Sequence, residues 1–244
     1  MAETHFDEWF AHNYNRLWPH VLDPAILDDA VDALFALAGD GPVLEFAVGT
    51  GRLALPLQAR GVRVHGIELS QSMVDVLREQ PGGGDLAVTI GGIATARVAG
   101  EFTLVYLVRN TITNLTTQDE QVACFRNAAA HLAPGGRFVI ENYVPELRRI
   151  PPGETTHVFS NTGEHLGYEE YDFDQQIAVS HHAWTIDGVL RQFASPHRYV
   201  WPAELDLMAQ LAGLTLESRW SDWRGAPFTG ESRSHVSVWR RAGR

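Results

Sequence analysis

Lysine is absent from this 244-residue chain; all 19 of its basic residues are arginine. That excludes a Schiff-base lysine, a Walker-type phosphate lysine and the lysine of a Tyr-x-x-x-Lys dehydrogenase site. Cysteine occurs once, at Cys124, so no internal disulfide and no zinc site needing two thiolates can form. Its neighbours Val122 and Phe125 mark it as a buried helix position. Long apolar runs and a signal peptide are missing as well, so a cytoplasmic protein with no membrane partner is expected. Positive charge is scarce: 30 acidic residues against 19 basic ones give a formal charge of −11. Without a broad basic patch, nucleic acid is not an expected partner, and a neutral or cationic small molecule fits better. His12, His157, His165 and His235 are scattered, with no H-x-x-x-H spacing and no clustered carboxylates, so no metal site is expected.

What is present is ample apolar material, 45% of the chain, enough for one α/β domain with an elaboration or two small domains. The chain is organised around Pro42-Val43-Leu44-Glu45-Phe46-Ala47-Val48-Gly49-Thr50-Gly51-Arg52-Leu53-Ala54. An apolar run enters two glycines one residue apart, and a helical pattern over Arg52 to Arg60 follows. The expectation is a strand, a tight turn and a helix N-terminus, which together receive a polar or anionic cofactor tail. The glycines permit positive φ and remove Cβ atoms that would hold a ligand off the backbone. The spacing Gly49-x-Gly51-x-x-Ala54 equally suits a dinucleotide. Glu68 ends the second apolar run, 17 positions beyond Gly51, where a carboxylate can accept both hydroxyls of a ribose.

Around this centre, strand and helix patterns alternate. Phe6, Phe10, Tyr14 and Trp18 recur at helical spacing within Phe6 to His20, either as a stripe laid on the core or as a lid whose tyrosine closes over a cofactor. Asp23 and Pro24 start the next helix and Gly39 ends it. Ser70 caps another, carrying Met73, Val74 and Leu77 inward. Thr103 to Val108 reads as a central parallel strand, and Thr117-Gln118-Asp119-Glu120 as a capping box. Pro134-Gly135-Gly136 breaks that helix before a strand at Arg137 to Glu141. The alternation predicts right-handed crossovers and one parallel sheet. Beyond Pro145 the texture becomes strand-like, and Asp187-Gly188 sits between apolar flanks as a hairpin turn. A helix at Pro202 to Ala212 and strands near Thr215 to Trp220 and His235 to Trp239 complete the main sheet. The expected organisation is a helical cap (1–38), a cofactor-binding core (39–144), an antiparallel insertion for substrate contact and self-association (145–201), and a closing segment (202–244).

Four motifs in this order resemble the class I S-adenosylmethionine-dependent methyltransferases. Val43 to Gly51 resembles the family's E-x-x-x-G-x-G. Gly66-Ile67-Glu68-Leu69-Ser70-Gln71-Ser72-Met73 resembles its acid followed by S-x-x-M. Leu107 to Ile112 resembles the end of its fourth strand, and Leu132-Ala133-Pro134-Gly135-Gly136 its L-x-P-G-G. They span roughly residues 40 to 142. The resemblance implies a Rossmann-like, doubly wound, mainly parallel seven-stranded sheet that binds S-adenosyl-L-methionine and releases S-adenosyl-L-homocysteine. It implies that Glu45, Phe46, Ala47, Gly49, Gly51, Arg52 and Leu53 line the methionine part. Glu68 would hold the ribose, Leu69 and Met73 flank the adenine, and Gly92 and Ile93 meet its edge. Val108, Arg109 and Asn110 would lie near the sulfonium, with Tyr14 covering the cofactor. Gly91-Gly92 departs from the acid that commonly follows glycine there. Arg109 stands where an apolar or aromatic residue is usual, and either binds a substrate carboxylate in a bidentate manner or pairs with a structural acid.

The implied activity is methyl transfer to nitrogen or oxygen of a small molecule, with a homodimer through the insertion. An amine acceptor must be neutral, whereas an alcohol or phenol needs a base. His181 and His182 are the base candidates, and strand alternation sends only one of them inward. Tyr14 and Asn110 complete the catalytic candidates, and Tyr143, Tyr168, Tyr171 and Trp184 are candidate walls of an aromatic pocket. The rival readings are a nicotinamide-dependent oxidoreductase, which the glycine spacing and Glu68 permit, and a fold that binds the cofactor without moving its methyl group.

Overall fold

A computed structural model describes residues 8–18 and 23–243. Phe6, expected on the first helical face, and His20, expected at the end of that stretch, lie outside the described residues. The first helix, α1 (Glu8–Leu17), precedes α2 (Pro24–Ala38), β1 (Val43–Phe46), α3 (Ala54–Ala59), β2 (Val64–Glu68), α4 (Gln71–Glu79) and β3 (Ala87–Ile90). β4 (Phe102–Leu107), α5 (Gln118–His131) and β5 (Leu132–Tyr143) follow. The insertion contains β6 (Thr156–Asn161), β7 (His165–Asp172), β8 (Ile177–Ile186) and β9 (Val189–Arg198), and α6 (Pro202–Leu211), β10 (Leu214–Trp220) and β11 (Ser234–Arg241) close the chain.

The main sheet has seven strands in the order β10-β11-β5-β4-β1-β2-β3. β1 pairs in parallel with both β2 and β4, and β11 runs antiparallel between β5 and β10. Burial explains the near-continuous apolar strands: β1 is buried at all four residues, because helices cover both faces. Ala30, Val31 and Leu34 of α2 and Leu57 of α3 pack on one face. Cys124, Phe125 and Ala128 of α5 and Leu205 and Met208 of α6 pack on the other. The architecture is the α/β class expected, a Rossmann-like sheet with a separate antiparallel one.

Local chemistry sets the helix ends. Asp23 accepts a hydrogen bond from the Ala25 N–H ahead of Pro24, Ser70 accepts one from Met73, and Thr117 with Glu120 forms a reciprocal capping box. Two boundaries differ from expectation. The third helix starts at Ala54 rather than Arg52, because Gly49 and Gly51 hold positive φ and the turn runs on through Leu53. The fifth strand starts at Leu132, since a register shift between Phe102 and Leu104 of β4 absorbs Pro134-Gly135-Gly136 as an irregularity within the pairing.

The insertion is a four-stranded antiparallel sheet, β6-β7-β8-β9. Asp187 and Gly188 both take positive φ, 52° and 75°, as the two central residues of a two-residue hairpin turn require. The insertion is fastened to the core by Arg198, which is buried; its guanidinium donates to Gln121 at 2.6 Å and to Glu204 at 2.7 Å. A bidentate pair of Arg16 with Asp187, at 2.8 and 2.7 Å, ties α1 to the hairpin tip.

β1 and β2 meet at a tight crossing. An added Cβ on Gly66 would lie 2.6 Å from Val48 Cγ1, and Val48 is itself buried. Gly66→Ala should therefore lower Tm by about 3–10 °C, the scale of overpacking a filled core in a chain of this size. Calorimetry checks this, and an unchanged Tm would mean that Val48 has room to retreat.

Candidate active site at the carboxyl edge of the sheet

The strand order reverses between β1 and β4, so their carboxyl ends diverge and leave a crevice, the general ligand site of open α/β sheets. Backbone strain concentrates at its two lips. Ala47, Gly49 and Gly51 follow β1 with φ of 55°, 55° and 84°, and Arg109 and Asn110 follow β4 with φ of 58° and 59°. Successive left-handed residues other than glycine persist only where their surroundings enforce them. Here the Glu141 carboxylate accepts from the Arg109 N–H at 3.0 Å and from Trp223 Nε1 at 2.9 Å. Asn110 Oδ1 in turn accepts from the Tyr143 N–H at 2.8 Å.

Two acids stand at the crevice floor. Glu68 Oε2 accepts from the Gly49 N–H and Oε1 from the Ser70 N–H, both at 2.9 Å. One carboxylate thus joins the glycine turn to the start of α4. Burial raises its pKa, while the N–H groups of Ser70, Gly49 and Leu69 oppose that rise. Each oxygen keeps a lone pair for a ligand hydroxyl. Glu45 is more deeply placed: Tyr106 donates to its Oε2 at 2.7 Å. Burial drives its pKa up to about 8, against the Tyr106 hydrogen bond and the charge of Arg52.

Beside Glu68 the crevice offers an apolar slot. Leu69 and Ile90, at the ends of β2 and β3, are 43% and 49% exposed, while Met73 and Ile93 are buried behind them. Asn127 Nδ2 donates to the carbonyls of Ile93 and Ala96, fixing the loop that carries Gly92. A flat apolar ring fits such a slot, and Gly92 leaves its edge without a side-chain acid.

On the other side of Tyr14, a cavity of about 350 Å³ lies between α1, the β4–α5 connection and the inner face of the insertion. Its aromatic wall consists of Phe10, Tyr14, Trp18, Phe159 and Phe193 together with Tyr143, one of the expected wall residues. Phe10 meets Phe193 edge-on at 5.4 Å, and Trp18 meets His182 at 6.0 Å. Arg109, Asn110, Glu169, His182 and His197 supply its polar side. His182 approaches His165 Nε2 at 3.0 Å through Nδ1, and burial together with the neighbouring histidines lowers its pKa to about 4. It is therefore uncharged at neutral pH and offers nitrogen without repelling a cation. Glu169 is held by the Tyr171 hydroxyl and by Ser180.

The structure thus brings Tyr14, Asn110, Arg109 and His182 around one cavity and Glu45, Phe46, Ala47, Gly49, Gly51, Glu68, Leu69, Met73 and Ile93 around the adjoining crevice. Arg52, Leu53 and Val108 follow the same lips; Leu53 and Val108 are buried. Tyr14 packs toward Met73 and Ala11, which places it between the two spaces. His181 does not join them. It faces the outer side of the insertion, stacked on Tyr168 at 4.6 Å and 3.7 Å from Glu170, because neighbouring strand residues alternate. Tyr168 leaves the pocket wall for the same reason, and Trp184 stacks on His165 at 3.8 Å. Glu169, Glu141, Phe193 and His197 were not legible as site residues. The pairing Glu169↔Ser180↔Ser195 that aligns the inner face exists only once the strands are registered. Among the described residues no three His, Cys, Asp or Glu side chains converge on a metal-sized space.

Residues 43–136 match the model of a methyltransferase domain. Over its whole length the chain is 38% identical to the CcbJ methyltransferase from Streptomyces caelestis, covers all of that protein, and superposes with a TM-score of 0.86. It is 26% identical to the cypemycin N-terminal methyltransferase of Streptomyces sp. over 82% of each chain. The fold is shared with CalS10, an amino pentose methyltransferase from Micromonospora echinaspora solved with S-adenosylmethionine bound, at 21% identity, a TM-score of 0.68 and coverage of 99% and 100%. The chain belongs to the class I S-adenosylmethionine-dependent methyltransferases, and S-adenosylmethionine is its cofactor. The nicotinamide reading is thereby set aside.

The Glu45 carboxyl has a pH signature. Its pKa rises from an ordinary 4.5 in the unfolded chain to about 8 in the fold, so between those values the native state holds the extra proton. Stability from this group is full below about pH 4.5 and is lost as pH climbs toward 8, by up to about 1.4 kcal/mol per unit. Denaturant unfolding from pH 5 to 9 should show this decline in the wild type and a flatter profile in Glu45→Gln. Parallel profiles would mean the carboxyl is ionised in the fold.

Proposed function

We propose that this protein transfers a methyl group from S-adenosyl-L-methionine to the amine nitrogen of a small molecule, leaving S-adenosyl-L-homocysteine. The observation that carries this reading is the cavity beside the cofactor crevice, where an aromatic wall meets the Glu169 carboxylate and an uncharged His182. Aromatic faces and a carboxylate attract an ammonium, and a neutral imidazole accepts its N–H. The N-terminal and amino pentose methyltransferases among the similar proteins support nitrogen over oxygen.

The crevice fits the cofactor. Glu68 receives the ribose hydroxyls, Leu69, Met73 and Ile93 enclose the adenine with Gly92 at its edge, and the backbone from Glu45 through Leu53 lies along the methionine part. Tyr14 closes over it, and the backbone of Val108, Arg109 and Asn110 forms the opposite lip. When bound, the cofactor supplies an electrophilic methyl carbon that takes the acceptor's lone pair as the carbon–sulfur electrons return to sulfur. The protein's share is alignment, which in favourable cases is worth about 7–11 kcal/mol. Glu169 draws the amine in as a cation, and its proton departs to solvent through the open side of the cavity. His182 then orients the neutral nitrogen. His165 fixes the His182 ring by the hydrogen bond at Nδ1.

The outer face of the insertion exposes Val158, Leu166 and Leu190, and a homodimer through that face belongs to the same proposal, readable by light scattering. No helix among the described residues is long and apolar enough to cross a membrane. A cytoplasmic site of action, with no nucleic-acid partner, accords with the charge balance.

Binding and rate measurements test the reading. Glu68→Gln should weaken S-adenosylhomocysteine binding about ten- to hundred-fold by calorimetry, as expected for hydrogen bonds to a charged acceptor; unchanged affinity would remove Glu68 from the ribose site. His182→Phe should lower kcat about 10–100-fold while His181→Phe leaves it near wild type. Because His182 is already neutral above about pH 5, the wild-type rate should follow the acceptor amine's own pKa with no histidine inflection near 6.5. Cofactor binding without S-adenosylhomocysteine release from any amine would favour the binding-only alternative.

A further inference from the structure

Among the described residues Arg109 enters no side-chain ion pair, although the chain is rich in acids. Its Nε is buried with no hydrogen-bond partner among the described residues. A desolvated guanidinium donor lacking an acceptor is destabilising, so its retention calls for a ligand. The backbone beneath it is strained and braced to aim it: φ is 58° at Arg109 and 59° at Asn110, and the Glu141 carboxylate, itself gripped by Trp223, accepts from the Arg109 N–H. The side chain borders the cavity together with Phe159, Glu169 and His197, residues of the insertion and not of the glycine turn. The cationic residue that follows the glycine turn is Arg52. Glu169 lines the same cavity, and among the described residues the two form no ion pair with each other.

We propose that Arg109 is the anion-recognition residue of the acceptor site, so that the acceptor is an amine that also bears a carboxylate, an amino acid or a peptide-like molecule. The planar guanidinium grips the carboxylate with parallel N–H bonds while Glu169 faces the amine end. An acid and a base on one aromatic cavity select a zwitterion over a simple amine, because a simple amine leaves the buried Arg109 Nε without an acceptor. This inference rests on the methyltransferase reading and specifies its substrate class.

The probes are benzoate and benzamide, which have the same ring and differ in charge. Each is titrated by ligand-observed NMR into full-length protein saturated with S-adenosylhomocysteine. Wild type should bind benzoate at least ten-fold more tightly than benzamide. Arg109→Gln should lose that preference, and Arg109→Lys should retain only part of it. Calorimetry on Arg109→Gln should give S-adenosylhomocysteine affinity within about three-fold of wild type, which shows the variant to be folded and the arginine to be turned away from the cofactor. Equal affinity for the two probes, no binding of benzoate, or a preference that survives Arg109→Gln would overturn the inference. A large loss of S-adenosylhomocysteine affinity in that variant would overturn it also, by assigning Arg109 to the cofactor. If wild type fails to bind S-adenosylhomocysteine at all, the methyltransferase reading fails, and that result is distinguishable from a missing benzoate site.

Discussion

The double acceptance by Glu68, from the Gly49 N–H and the Ser70 N–H, is the constraint on which the site depends. It joins the end of β2 to the turn after β1 and to the first turn of α4. Those elements then hold one relative position before any ligand arrives. A buried carboxylate with neutral partners only is costly, and backbone N–H groups are what make it tolerable here. These hydrogen bonds are internal to the chain, so they lessen what must be fixed on binding.

The opposite lip obeys the same logic with different parts. Glu141 does for Arg109 what Glu68 does for Gly49: a carboxylate near a strand end captures a backbone N–H two or three residues beyond the neighbouring strand. Glycine relieves the strain at two of the three positive-φ positions on the first lip, Ala47 being the third. On the second, non-glycine residues keep their side chains, and those side chains border the acceptor cavity. The glycine lip of the crevice is therefore backbone, while side chains wall the cavity, which suits a constant cofactor beside a variable acceptor. The insertion and α1 close that cavity from outside, joined to each other by Arg16 and Asp187 and to the core by Arg198.

Much of this was readable from the chain and some of it could not be. The turn after β1, Glu68 and the capping residues Asp23, Ser70 and Thr117 are local, since each signal lies within a few residues of its effect. The Asp187-Gly188 hairpin was equally plain, because only positive-φ residues suit its turn. Glu169 was invisible because its role depends on the register of β7 against β8 and on α1 folding back across the sheet, neither of which leaves a local mark. Glu141 was invisible for a related reason: its partners, the Arg109 N–H and Trp223, come from distant parts of the sequence. Alternation did foretell that only one of His181 and His182 faces inward, but not which one. Arg109 announced itself as an anomaly, and only the structure shows its Nε buried without a partner among the described residues.

The most direct test is a crystal structure of the protein with S-adenosylhomocysteine bound. Both ribose hydroxyls should lie on the Glu68 carboxylate, the adenine between Leu69 and Met73, and the sulfur should turn toward the cavity between Tyr14 and Asn110. A ribose held elsewhere, or a sulfur with no open path to His182 and Glu169, would contradict that arrangement.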